Sequence, residues 1–116
     1  MVNNSFYKDL VFTDEKVKVS VILETSFSKE IRIAFKKGQV MKEHKTAFPI
    51  VIHLLSGAIE FGVEGVKHQL EKGDILTLEG NIAHDLLAKE ESIVRLTLSK
   101  LDNPDRVKEV ARDSKS

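Results

Sequence analysis

The strongest constraint in this chain is apolar alternation with a period of two. In "KVKVSVIL" (Lys16 to Leu23), Val17, Val19 and Val21 alternate with Lys16, Lys18 and Ser20, and in "EIRIAF" Ile31, Ile33 and Phe35 alternate with Arg32 and Ala34. Successive side chains of a strand point to opposite faces, so these segments read as strands with one face on a core. Further strand segments follow in "FPIVIHLL", "AIEFGV", "VKHQL", "DILTLEG", "HDLLAK" and "SIVRLTLSK"; in the last, Ile93, Arg95 and Thr97 oppose Val94, Leu96 and Leu98. Glu64-Gly65, between "AIEFGV" and "VKHQL", suits a tight hairpin turn, which needs positive φ. Short strands at even spacing, broken by glycine-containing turns, predict an all-β chain folded as an antiparallel sandwich or small barrel. A single short helix is expected at the C-terminus, over about residues 103–112. There Asn103 is the N-cap, Pro104 opens the first turn, and Val107, Val110 and Ala111 form a narrow apolar stripe.

A chain of 116 residues with 41% hydrophobic content can bury a core of its own but is too short for two ordinary domains. One domain over 1–116 is expected, with its barrel at about 16–100. Eighteen Lys plus Arg balance eighteen Asp plus Glu, so no basic excess is present to neutralise phosphates, and nucleic acid is not expected as a partner. The longest apolar run, Phe48 to Leu55, is far shorter than the ~20 residues of a spanning helix, and the first ten residues do not read as a signal peptide. No membrane partner and a cytoplasmic location are therefore expected. The chain has no cysteine, which removes disulfides, thiolate metal sites and cysteine nucleophiles. Any metal would need imidazole and oxygen ligands. No G-x-S-x-G nucleophile elbow occurs, and "GVEG" lacks the strand-to-helix setting of a phosphate loop.

Two stretches carry more than fold information. "GQVMKEHKTAFPIVIHLLSG", Gly38 to Gly57, and "GDILTLEGNIAHDLLA", Gly73 to Ala88, resemble the two motifs of the cupin superfamily. The resemblance covers roughly residues 29–98. It implies a double-stranded β-helix, the cupin jelly-roll barrel. In the first motif Gly38, His44 and Gly57 are in register, whereas Thr46 stands at the second histidine position and Ile50 at the glutamate position. In the second, Gly73 and His84 are in register, while Glu79, Asn81 and Ala88 replace the proline, glycine and asparagine. Metal-binding cupins hold a divalent first-row metal with three histidines and one carboxylate. Carried over position by position, the resemblance leaves His44 and His84 as candidate ligands, with His53 as a conceivable third. Two imidazoles suffice only for a weakly held ion. Zinc, nickel or copper fits that donor set better than iron or manganese, which favour carboxylate oxygens.

Strand alternation sets Ile50, Ile52 and Leu54 on one face of "FPIVIHLL" and Val51, His53 and Leu55 on the other, so His53 is expected outside the pocket, half-buried with a polar partner for its ring. A bulge near Pro49 would reverse that. His68 is expected to face solvent. The predicted ligand pocket comprises His44, Thr46, Ile50, Ile52, Leu54, Leu76, His84 and Leu86, an apolar cavity with imidazoles at one end. Asp85 adjoins His84 in sequence but faces the opposite side of the strand. Three readings follow. The leading one is a small-molecule-binding cupin that is non-catalytic or weakly catalytic, with no cofactor required. The others are a metal-dependent enzyme of dioxygenase or isomerase type, and a structural or interaction module with a vestigial pocket. A homodimer is expected by the same resemblance, with Val11, Phe12 and Val51 among the apolar positions a partner would cover.

Overall fold

The computed structural model describes residues 1–100. The C-terminal helix expected at about 103–112 lies outside the described residues. Nine strands are present among them: β1 (Lys18–Glu24), β2 (Ser28–Phe35), β3 (Val40–His44), β4 (Ile50–Ser56), β5 (Ala58–Val63), β6 (Val66–Glu71), β7 (Ile75–Leu78), β8 (His84–Ala88) and β9 (Ser92–Ser99). They form a five-stranded sheet in the order β1-β2-β9-β4-β7 and a four-stranded sheet in the order β3-β8-β5-β6. All pairings are antiparallel. Non-sequential neighbours in both sheets make this a jelly roll, the double-stranded β-helix architecture.

The alternating segments supply the interior. Ile31, Ile33 and Phe35 of β2, Ile50, Ile52 and Leu54 of β4, Ile59 and Phe61 of β5, Leu86 and Ala88 of β8 and Val94 of β9 form one buried cluster. Burying a side chain of this size contributes about 1.5–3 kcal/mol, so the two inner faces hold the sheets together. The Glu64-Gly65 turn forms as the sequence predicts: Val63 pairs with Val66, and φ is 52° at Glu64 and 78° at Gly65. Both central residues have positive φ, the conformation of a type I′ hairpin.

One strand is not legible as an alternating segment. β3, "VMKEH", has no apolar period, and Val40, Lys42 and Glu43 are exposed. It forms because its backbone pairs with β8, completing the edge of the four-stranded sheet.

The outer face of the five-stranded sheet is covered in part by the N-terminal segment. Arg32 Nη1 donates to the carbonyls of Phe6 and Lys8, both at 3.0 Å, and Nη2 donates to that of Asp9 at 3.4 Å. Gln39 Nε2 donates to the Thr13 and Asp14 carbonyls, and Lys36 pairs with the Asp14 carboxylate. Side chains of β2 and of the turn that follows it thus hold this strap without any β ladder.

Candidate functional site

His44 and His84 meet at the end of the four-stranded sheet. They are direct partners across β3 and β8, and their ring centroids lie 4.4 Å apart. A β-bulge makes this possible. Met41 pairs with Leu86 and His44 with His84, so three steps along β3 match two along β8. In a regular strand Met41 and His44 would face opposite sides; the surplus residue brings both inward. Met41 packs on the core, and His84 is buried, with 3% of its surface exposed.

Each imidazole is anchored at Nδ1. His44 Nδ1 lies 2.7 Å from the Lys42 carbonyl oxygen, and His84 Nδ1 lies 2.9 Å from that of Ile82. Phe61 stacks on His84, with centroids 5.7 Å apart and planes inclined by 21°. The neighbouring loops are pinned together: the Asn81 amide donates to the Thr46 carbonyl at 2.6 Å, and Gly80 lies so close to the Ala47 carbonyl that a Cβ would overlap it. Asn81 takes φ 65°, so at the motif's glycine position it keeps the left-handed backbone that asparagine tolerates best after glycine.

The remaining predicted pocket residues fall in three places. Ile50, Ile52, Leu54 and Leu86 are buried members of the core. Leu76 instead lines a cavity of about 300 Å³ at the seam between edge strands β6 and β7, together with Phe61, Val63, His68, Leu70, Thr77 and Leu78. Phe61 stands between this cavity and the histidine pair, lining one and stacking on His84, and neither histidine lines the cavity. Thr46 lies outside the strands, and its hydroxyl donates to the Phe48 carbonyl at 2.9 Å. A larger trough of about 730 Å³ runs along Thr13–Val19, but one continuous stretch of chain lines it and no histidine borders it.

Of the seven residues that line the cavity, the sequence names only Leu76 as a pocket residue, and the titratable one it misses is His68. It is exposed, as expected, but it pairs with Phe61 and so shares the inner-facing parity. The signal was present in "VKHQL", where His68 has the parity of Val66 and Leu70 and the opposite parity from Lys67 and Gln69. His53 lies on the face opposite Ile52 and Leu54, paired with Ile75 and Arg95. Its Nδ1 is sealed from solvent and has no hydrogen-bond partner. The polar partner expected for this ring is absent there, because Arg95 turns its Nε to Glu30 instead. Asp85 also faces outward, its carboxylate over the Cα of Gly62.

The donor set does not fit a three-imidazole, one-carboxylate metal centre. The carboxylate position is Ile50, buried in the core, and no group of three or more His, Cys, Asp or Glu is arranged to hold a metal among the described residues. Two unpartnered Nε2 atoms are what the site offers.

A sequence model of the cupin domain matches residues 31–99, more than half of the chain and the span that holds both histidines. The chain belongs to the cupin family. Solved structures share its architecture. An RmlC-like cupin from Desulfovibrio desulfuricans superposes with a TM-score of 0.78 at 20% identity, over 85% of this chain and 96% of the other. TT1209 from Thermus thermophilus gives 0.78 at 15% identity, over 85% and 97%. KdgF from a Halomonas species gives 0.72 at 19% identity, over 89% and 97%. At these identities the likeness shows a shared fold. Comparison with curated proteins finds no match. No helix among the described residues of this cupin is long and apolar enough to cross a membrane.

Proposed function

We propose that this cupin binds a small organic molecule in the cavity at the β6–β7 seam, with the His44–His84 pair as its polar end, and that binding requires no metal. The observation that carries the reading is the pairing of two inward imidazoles, 4.4 Å apart, with a buried isoleucine at the carboxylate position. Ile50 removes the negative charge that would favour a dication, while the imidazoles remain free to bind an organic group. The cavity volume is at the lower end of what small-ligand sites use, roughly 300–1,000 Å³, and its walls are mainly apolar. The reading predicts a thermal shift with ligand that is indifferent to chelator and lost in His44→Ala or His84→Ala. We also place the protein in the cytoplasm, which subcellular fractionation tests.

A metal-dependent activity is the second reading, favoured by the anchoring of both Nδ1 atoms on carbonyls. Metal-binding imidazoles are oriented in that way, leaving Nε2 for the ion. Elemental analysis of tag-free protein after dialysis against nickel, zinc, iron(II) and manganese separates the two. The organic-ligand reading expects substoichiometric metal; near-stoichiometric metal that disappears in His84→Ala overturns it.

A further inference from the structure

We infer that the ligand presents a hydrogen-bond donor, a hydroxyl or an amine, to His44 and His84, which act together as an acceptor pair; this rests on the pocket reading above. A carbonyl oxygen can only accept. The Lys42 and Ile82 carbonyls, at 2.7 and 2.9 Å, therefore require a proton on Nδ1 of His44 and of His84. In the neutral ring, which carries one N–H, Nε2 is then the lone-pair acceptor. Neither Nε2 has a partner among the described residues.

Neither acceptor is fully sealed. The sealed, unpaired side-chain atoms among the described residues are Arg32 Nε and His53 Nδ1, so the unpaired Nε2 of His84 is not sealed even though its residue is 3% exposed. Ring centroids 4.4 Å apart put both imidazoles within reach of one small polar group. An amine has protons for both; a hydroxyl has one for either. A carboxylate would set acceptor against acceptor and is disfavoured. The apolar surface of Phe61, Val63, Leu70, Leu76 and Leu78 fits a hydrocarbon body behind that donor. The ligand class is thus an alcohol, phenol or amine with a compact apolar frame.

The test uses chelator-treated full-length protein with 15N-labelled histidine. The probes are 4-ethylphenol and cyclohexylmethanol, each against its methyl ether, with cyclohexanecarboxylate as the anionic control. We expect long-range 1H–15N spectra to show the proton on Nδ1 of both rings, and the two hydroxyl compounds to shift Nε2. They should bind about tenfold more tightly than their ethers, the worth of one hydrogen bond. His44→Leu should abolish that advantage; because this ring is only partly buried, the variant tests binding without emptying the core. Ethers or carboxylate binding as tightly as the hydroxyl compounds, or a proton found on Nε2, would overturn the acceptor inference and leave the pocket reading standing. If no compound binds, the pocket reading fails and the inference falls with it.

Discussion

Glu30, on the outer face of β2, accepts three side-chain hydrogen bonds: from Arg95 Nε at 3.0 Å and Thr97 Oγ1 at 2.6 Å on Oε1, and from Ser28 Oγ at 3.0 Å on Oε2. Burial pushes its carboxyl up, but the hydrogen bonds from Thr97, Arg95 and Ser28, with the Arg95 charge, outweigh burial and hold it below the ordinary glutamate range. A carboxyl that is more acidic in the folded state stabilises the fold above its unfolded value of about 4.3, and that contribution is lost as pH falls through the lower folded value. In that window the unfolded chain binds more protons, so stability declines with acid. Glu30→Gln should cost about 1–2 kcal/mol at neutral pH, with the difference from wild type closing as pH falls through the lowered folded value. Urea unfolding across pH measures it; a gap that does not change with pH would refute the assignment. Arg32, opposite Arg95 across β2 and β9, is 4% exposed and satisfied by strap carbonyls rather than a carboxylate. Two arginines side by side repel, and their separate partners, Glu30 for one and the strap for the other, relieve it.

At the scale of elements, turns and bulges decide which residues meet. Gly57, between β4 and β5, has φ 94°, and a Cβ there would overlap Ser92 Oγ, the Glu91 carbonyl oxygen and, at 2.6 Å, Ser92 Cα. Ser92 Oγ cannot move aside freely, since it accepts from the Ala58 amide at 3.0 Å and donates to the Glu90 carbonyl at 2.7 Å. Gly65 also has positive φ, at 78°, but open space around it. Gly57→Ala should therefore cost about 3 kcal/mol or more, and Gly65→Ala about 1 kcal/mol. Thermal unfolding of the two variants side by side checks this, and equal losses would show that backbone conformation alone matters at Gly57. The β3 bulge works in the other direction. It strains nothing the sequence advertises, yet without its extra residue count His44 would have the wrong parity to face His84.

At the scale of the molecule, the five-stranded sheet has one strand more than its partner, and β1 is its edge. Val19 and Val21 pair with Ile33 and Ile31, so they share the inner-facing side, yet they are 50% and 56% exposed. An edge strand with apolar side chains and unpaired backbone groups is a site that natural proteins cover. We propose a second copy of this chain as the cover; size-exclusion chromatography with light scattering should give twice 13.1 kDa, and a monomer would reject it. The period-two pattern by itself determined the all-β class, the identity of the core faces and the outward orientation of His53, because side-chain direction in a strand follows from parity alone. The motif glycines and histidines pointed to the candidate site. Tertiary structure decided the rest: that β3 is a strand at all, since pairing with β8 and not its own pattern makes it one; that His44 faces inward, through a one-residue bulge that no local propensity encodes; and that Ile50, Ile52, Leu54 and Leu86 close into packed core while the open cavity lies at the β6–β7 seam. Alternation says which face a residue is on, and only the way two sheets meet says whether that face is filled.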